Sequence, residues 1–282
     1  METPVVPPLE RDDRVLRTTR AVSIVIVPVL TAAFVILFLF PGQTRTLWGW
    51  TIRSRMSCMF MGGGYLAGAL FFARASRAKQ WHRLGPGIIA TTAFAGALGV
   101  ATFLHWPEFN HGHVSFWAWT LLYITTPLLL PVLYVKNRQF DPHTNGAEDV
   151  PVPPWVRTTM TVLGAGQLAF AVTLYLRPSL FLADWPWPLT TLSARSLAAF
   201  AAFPAITYLA FAFEHRWSAL RWPFETAIAG VALIAVGAAR SSGDFKAGAQ
   251  AWLWRGGLLL ALAFLIFVWV TMRRKVRLAS AS

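Results

Sequence analysis

The stretch HWPEFNHGH, from His105 to His113, concentrates side chains that can do chemistry. It holds three of the six histidines of the chain, together with one glutamate. His105, Glu108, His111 and His113 offer the nitrogen and oxygen ligands that zinc accepts. His111 and His113 alternate, so an extended loop would turn both rings to the same side. The stretch therefore predicts either a metal site at these four residues or a solvated turn.

The second half of the chain favours the turn. The aligned stretch RSSGDFKAG, at Arg240–Gly248, keeps the acid and the phenylalanine as Asp244 and Phe245 but has no histidine. No His-Glu-x-x-His motif or other helical ligand spacing is present. We interpret Glu108 and Phe109 as a turn at the membrane surface, with Phe109 dipping into the lipid and the histidines able to sense pH. We expect no cofactor, and metal binding remains the alternative.

The composition sets these residues in a membrane protein. The 282 residues are 56% hydrophobic and 13% charged, with a mean hydropathy of +0.51, whereas soluble domains carry about 25% charged residues. The charges leave eight apolar runs, each near the roughly 18 residues that cross a bilayer as a helix. The runs are Ala21–Phe40, Met56–Ala73, Leu84–Leu104, Val114–Val135, Thr158–Leu176, Ser196–Phe213, Trp222–Ala239 and Gly256–Met272.

Two polar residues lie inside these runs. Gln167 is in the middle of the fifth run, and Glu225 interrupts the seventh near its start. Polar groups within a membrane are functional candidates, although Glu225 has a structural alternative, an ion pair with Arg221 one turn earlier. So little charge inside the runs argues against a proton- or ion-coupled pump. The lack of a lysine inside any run also excludes a retinal protein.

The net charge of +13 is distributed unevenly. Eight crossings place 17 of the 25 lysines and arginines on the side that carries both termini. The positive-inside rule then predicts a plasma-membrane protein with both termini in the cytoplasm. The bias reflects topology, so we expect the lipid bilayer as the partner and no nucleic acid. Other membrane subunits or a second copy of the chain remain open as partners.

An ordered series of residues recurs at a nearly constant offset, which predicts an internal duplication. Because each unit has an even number of helices, both units would insert the same way up, as parallel repeats. The recurring pairs include Pro41 and Pro178, Trp48 and Trp185, Trp50 and Trp187, Arg55 and Arg195, Glu108 and Asp244, and Trp119 and Trp254. The predicted organisation is a tail (1–20), a first repeat (21–135), a linker (136–157), a second repeat (158–272) and a basic tail (273–282).

Four of the duplicated tryptophans are candidate ligand-binding residues: Trp48, Trp50, Trp185 and Trp187. They lie at the predicted outer surface, where tryptophan prefers the headgroup level. We therefore expect them to form an aromatic belt. The alternative is an outer pocket for a lipid or a small apolar ligand.

The duplicated charges form a second candidate set. Arg55 and Arg195 each begin the second helix of a repeat, and Glu108 and Asp244 are equivalent acids on the same side. This arrangement predicts one ion pair in each repeat, Arg55 with Glu108 and Arg195 with Asp244. The pairs would be structural, or else part of an anion-binding site.

A resemblance limits the source without assigning an activity. The stretches WPWPLTTLSAR (Trp185–Arg195) and LHWPEFNHGHVSFWAW (Leu104–Trp119) resemble segments of uncharacterised multi-pass membrane proteins of actinobacteria. The resemblance implies a bacterial plasma membrane.

Three function classes remain. A carrier of an apolar or lipid-like solute predicts a hollow interface between the halves. An assembly subunit predicts a packed interior and a flat apolar face. An outward-facing enzyme requires the histidine loop, and we expect no enzymatic activity.

Overall fold

The computed structural model describes residues 11–144 and 149–280, and these residues are all-helical apart from turns and two isolated bridges. Residues 1–10, 145–148 and 281–282, which belong to the predicted tails and linker, lie outside the described residues. The helices are α1 (Arg17–Phe34, continued by a π-helical turn at Val35–Leu39), α2 (Thr44–Leu47), α3 (Arg55–Ala75), α4 (Gly85–Leu104), α5 (Val114–Arg138), α6 (Pro154–Leu176), α7 (Thr191–Leu209), α8 (Trp217–Arg240) and α9 (Ala249–Ala279).

All of these helices except the short α2 are long and apolar enough to cross a membrane, which confirms the predicted eight-helix architecture. Most of them extend beyond the apolar runs, because helical hydrogen bonding continues into polar ends. For example, α8 begins at Trp217 instead of Trp222. Helix α9 has 31 residues, a length of about 46 Å, which exceeds a hydrocarbon core of about 30 Å.

Four helices form the centre of the molecule. Helix α3 packs against α8, and α4 packs against α7. Small residues allow close contact: a Cβ on Gly63 would lie 3.1 Å from Leu233 Cβ, and a Cβ on Gly237 would lie 2.8 Å from Met59 Cβ. The outer helices α1 and α5 cover α3 and α4, as α6 and α9 cover α7 and α8. The same packing order therefore occurs in both halves, as a duplication would require.

The bundle has two ends, which differ in composition. We call one the aromatic end, and its segments are residues 40–54, 105–113, 177–190 and 241–248. We call the other the basic end, and its segments are residues 11–16, 76–84, 139–144, 149–153 and 210–216. At the aromatic end the Asn110 N–H donates to the Gly49 carbonyl at 2.7 Å, and the Lys246 N–H donates to the Pro186 carbonyl at 2.8 Å. Matching backbone contacts thus fix corresponding segments in the two halves.

Candidate functional site: a cavity between the halves

The interface between the halves is hollow. A cavity of about 1120 Å³ lies between them, and all eight long helices contribute to its wall, mostly through their middle turns. Its volume is at the upper end of the roughly 300–1,000 Å³ typical of ligand pockets. The cavity is therefore large enough for a lipid-sized molecule.

The wall of the cavity is apolar and uncharged. Among the described residues, no Asp, Glu, Lys, Arg or His lines it. An ion placed there would lose its hydration without a compensating charge, at a cost of several kcal/mol. The polar lining residues are Tyr65, Thr91, Tyr123, Thr126, Thr159, Gln167, Tyr208 and Thr226. The lining therefore suits uncharged ligands that form few hydrogen bonds.

Two tyrosines provide the most clearly positioned polar group. The hydroxyls of Tyr65 on α3 and Tyr123 on α5 form a hydrogen bond of 2.8 Å, and both residues are only 2% exposed. Phe200 packs edge-on against Tyr65, with ring centroids 5.0 Å apart, and Phe94 packs against Tyr123 at 5.9 Å. One hydrogen bond between two hydroxyls uses one of their two protons. The pair can therefore donate a hydrogen bond to a ligand.

Gln167, the first of the predicted intramembrane candidates, lies in the wall of this cavity. Its Nε2 donates to the Ala201 carbonyl at 2.9 Å, which ties α6 to α7. Its Oε1 and the hydroxyl of Tyr208 make no hydrogen bond to other residues of the described chain. One acceptor and one hydroxyl therefore remain available in the second half.

The cavity extends to the lipid-facing side of α9. Leu253 and Leu260 line it and are 74% and 73% exposed. Helix α9 is held near its start, where Trp254 packs on Trp187 at 4.9 Å, and in its second half, where the Trp269 Nε1–H donates to Glu225 at 2.9 Å. An acyl chain could enter between these two attachments.

The prediction that the four candidate tryptophans form an aromatic belt is wrong. Trp48, Trp50, Trp185 and Trp187 are at most 8% exposed, so they lie inside the protein and not at the headgroups. Their indole rings pack against other aromatic rings, while the N–H groups of Trp48, Trp50 and Trp185 have no hydrogen-bond partner among the described residues. The aromatic partners come from distant parts of the chain, which sequence spacing does not reveal.

The buried tryptophans form two corresponding clusters. In the first half, Trp50 lies 5.1 Å from Phe109 and 4.8 Å from Trp119. In the second half, Trp187 lies 5.4 Å from Phe245. Phe109 is 4% exposed, so the expectation that it dips into the lipid is also wrong. Each acid-Phe turn instead closes the aromatic end of its half.

The four side chains of the histidine loop have separate partners. His105 Nδ1 lies 2.6 Å from Glu108 Oε1, and its Nε2 meets Arg195 Nη1 at 2.5 Å. His113 accepts a hydrogen bond from the Ser115 N–H at the start of α5, and the ring of His111 packs on Trp106 and Phe116. The described residues form no group of three His, Cys, Asp or Glu side chains that could hold a metal. Of the four candidate metal ligands, His105 and Glu108 are thus in contact, but the four do not form one group.

The predicted ion pairs of Arg55 with Glu108 and Arg195 with Asp244 do not form among the described residues. Asp244 Oδ2 instead accepts from Ser54 Oγ at 2.8 Å and from the backbone N–H of Met56 at 2.9 Å. A carboxylate gains more at this helix start, where free N–H groups and the helix dipole favour an anion.

Arg195 takes His105 as its partner, while the side chain of Arg55 is exposed. These contacts of Asp244 and Arg195 connect the two halves, whereas the predicted pairs would have stayed within each half.

Glu225 does form the expected pair with Arg221, at 2.9 Å. It also binds Arg74 of α3 at 2.8 Å. Glu225 thus joins α3, α8 and, through Trp269, α9 at the basic end. It does not line the cavity, so its role is structural.

Sequence reasoning missed the cavity tyrosines Tyr65, Tyr123 and Tyr208. The available signal was a hydroxyl inside an apolar run, which is the same signal that identified Gln167. No protein-family model, curated protein or solved structure matches the chain significantly.

Proposed function

We propose that this protein is a carrier of an uncharged, lipid-like molecule in a bacterial plasma membrane. The observation that supports this function best is the apolar cavity of about 1120 Å³ between the halves. A hollow interface is what a carrier requires, because the solute must leave the lipid and be enclosed on its way. The absence of charged lining residues among those described favours an uncharged headgroup, since a buried ion would be unpaired.

The uneven charge supports an orientation for this carrier. The basic end carries most of the lysines and arginines, and the described residues begin and end there. The positive-inside rule places such an end in the cytoplasm. The ligand would then enter the cavity from one leaflet of the membrane, beside α9, and leave it into the other leaflet.

Photolabelling tests whether the cavity binds a ligand. The protein is reconstituted with a photoreactive glycolipid that has an uncharged sugar headgroup, or with a photoreactive phosphatidylglycerol that is anionic. We expect the uncharged probe to label peptides of α6, α7 and α9 more strongly than the anionic probe. Equal labelling by both probes would contradict the assignment of the cavity to uncharged ligands.

Two adjacent glycines provide a matched pair of variants. Gly257 lines the cavity, whereas Gly256 does not, and a Cβ added at either position meets no atom within 4 Å. We expect Gly257→Trp to fill the cavity and reduce the labelling, and Gly256→Trp to leave it unchanged. A fluorescent form of the uncharged probe, followed between vesicle leaflets, then tests transport with the same two variants.

A second candidate, an assembly subunit, is favoured by one observation. Only 11% of the apolar window of α9 is buried, so this helix presents a long apolar face. A partner helix could cover that face. Labelling that is lost when the protein is purified together with another membrane protein would favour this role.

A further inference from the structure

Four side chains at the basic end form a continuous hydrogen-bonded chain. Asp13 Oδ2 lies 2.5 Å from His82 Nδ1, and His82 Nε2 lies 2.9 Å from Ser218 Oγ. Ser218 Oγ in turn donates to Asp149 Oδ2 at 2.8 Å. Asp13 and His82 belong to the first half, and Ser218 and Asp149 to the second. The contact between His82 and Ser218 therefore joins the two halves.

The chain can be complete only if His82 carries a proton on both ring nitrogens. An ionised aspartate accepts hydrogen bonds and cannot donate them. Asp13 also accepts from the His82 backbone N–H at 3.0 Å, so His82 Nδ1 must donate to it. Asp149 takes the only hydroxyl proton of Ser218. His82 Nε2 must then donate to the Ser218 oxygen.

Loss of one proton from His82 creates a competition. The bare Nε2 and the Asp149 carboxylate would both need the Ser218 proton. The carboxylate should keep it, because hydrogen bonds to a charged acceptor are stronger and because the Ser218 backbone N–H also donates to Asp149, at 3.3 Å. The bond between the halves is then lost.

We infer that Asp13, His82, Ser218 and Asp149 form a proton-binding site whose occupancy tightens the contact between the two halves at the basic end. The stabilisation requires a proton on both ring nitrogens of His82 and is lost when His82 gives up one of them. This inference concerns the contact between the halves and does not depend on which solute the cavity holds.

Two arginines also lie beside this site. Arg14 lies next to Asp13 and pairs with Asp12 at 3.5 Å, and Arg83 lies over the ring of Trp222 at 5.7 Å. The halves are also joined by Arg74 with Glu225 and by Arg216 with Asp141.

Arginine stays protonated throughout this pH range. Burial raises the pKa of Asp141, but the hydrogen bonds from Arg216 and the His143 backbone, together with the nearby positive charge, outweigh this effect and hold the pKa below its usual value. Of the three cross-half contacts named at the basic end, the one through His82 is the one that contains a histidine.

The order Asp-His-Ser also occurs in serine hydrolases, where histidine takes the serine proton. Here the serine proton goes to Asp149. The first backbone N–H groups of α8 are bonded as well: that of Trp217 to the Val150 carbonyl and that of Ser218 to Asp149. These N–H groups cannot stabilise an oxyanion without breaking those bonds, so the geometry favours a joint between the halves.

Spin labels on either side of the joint provide the test. Lys79 and His215 are exposed, and each lies three residues before a member of the contact, His82 or Ser218. They are changed to cysteine and labelled in the full chain, where Cys58 is buried. The separation of the labels is measured from about pH 5.5 to about pH 8.5, on either side of the usual histidine range.

We expect the label separation to be short and narrowly distributed at low pH, and longer and broader at high pH. The pH response should disappear in both His82→Gln and Ser218→Ala. The label separation should stay short only in His82→Gln, where the glutamine amide replaces the Nε2 donor. His143→Gln, a substitution of an exposed histidine at the same end, should leave the response intact.

Two results would overturn the inference. One is a label separation that responds to pH equally in the native chain and in His82→Gln. The other is covalent labelling of Ser218 by a fluorophosphonate, which would show that its proton is transferred to His82. The thermal unfolding midpoints of all variants, measured at both pH extremes, separate a lost pH response from a failure to fold.

Discussion

The two halves of the chain have the same packing order, but they differ in how firmly their last helix is held. In the first half 33% of the apolar window of α5 is buried, whereas in the second half only 11% of the window of α9 is buried. The remaining spans of the second half are also less buried than their counterparts in the first. The cavity accordingly receives more of its wall from α9 than from α5.

Three contacts explain why α5 is held more firmly. A Cβ on Gly99 would lie 2.6 Å from the Tyr123 carbonyl oxygen, so α4 and α5 approach closely there. The Trp119 Nε1–H donates to Thr102 at 2.8 Å, and Tyr65 bonds to Tyr123.

The predicted duplication matches these positions with residues that cannot form the same contacts. Ala235 stands for Gly99, and Ala238 stands for Thr102. Ala205 and Leu258 stand for the two tyrosines. Small differences in the polarity and volume of these side chains therefore explain why the last helix is held more firmly in the first half than in the second.

The two halves also differ at the basic end, where Arg216 belongs to the second half. We expect the largest change in the free energy of unfolding from a substitution of Arg216. The backbone of Arg216 pairs with Pro151 as that of Gln80 pairs with Arg14, so Gln80 is its counterpart. Arg216 is 6% exposed and binds both Asp141 and Glu214. Arg216→Gln makes the second half resemble the first but leaves two carboxylates without their cation.

We expect Arg216→Gln to lower the free energy of unfolding by about 3–5 kcal/mol, as for other broken buried pairs. Denaturation in mixed micelles measures the change. The control is Gln80→Ala, at an exposed position, and it should be nearly neutral. Equal losses in both variants would show that the Arg216 network contributes no special stability.

Acid should weaken the same network. Burial raises the pKa values of Asp141 and Glu214, but the hydrogen bonds and charge of Arg216, together with backbone N–H groups, outweigh it, and both pKa values lie below their usual range. Groups with a lowered pKa stabilise the folded state above their unfolded pKa and lose this contribution as the pH falls through the folded value. At pH values below about 4, the thermal unfolding midpoint of the native chain should therefore fall. The drop should be smaller in Arg216→Gln.

The close approach of α4 and α5 gives the next effect. Gly99→Ala places a methyl group against the backbone of α5, and overpacking of this kind costs about 1–3 kcal/mol. Gly96→Ala on the same helix is the control, because its Cβ would lie an ordinary 3.8 Å from Pro127 Cβ. A Gly99→Ala variant as stable as Gly96→Ala would mean that α5 is no more firmly packed than α9.

The smallest effect concerns the tyrosine pair. Tyr123→Phe removes the bond to Tyr65 and should cost about 1 kcal/mol. Tyr208→Phe in the second half should leave stability unchanged, because its hydroxyl has no partner among the described residues. The same denaturation measurement compares the two variants. A larger loss of stability in Tyr208→Phe than in Tyr123→Phe would contradict the idea that the tyrosine hydrogen bond stabilises the first half.

Sequence reasoning located the polar candidates unevenly. It identified Gln167, because an amide inside an apolar run is conspicuous, and it identified the pair of Glu225 with Arg221, because one helical turn fixes their distance. It failed for Arg55, Glu108, Arg195 and Asp244. Their partners depend on which loops meet across the halves, and helical spacing contains no information about that.

The sequence alone determined the eight spans and the excess of basic residues at one end, because the bilayer imposes a minimum apolar length and the charges outside the runs can be counted. It also indicated that Trp48 is equivalent to Trp185, and Trp50 to Trp187. The tertiary structure decided that these rings are buried and that a cavity lies between the halves. It also decided that His82 contacts Ser218. These features depend on helix rotation and separation, which arise from contacts between residues that lie far apart in the sequence.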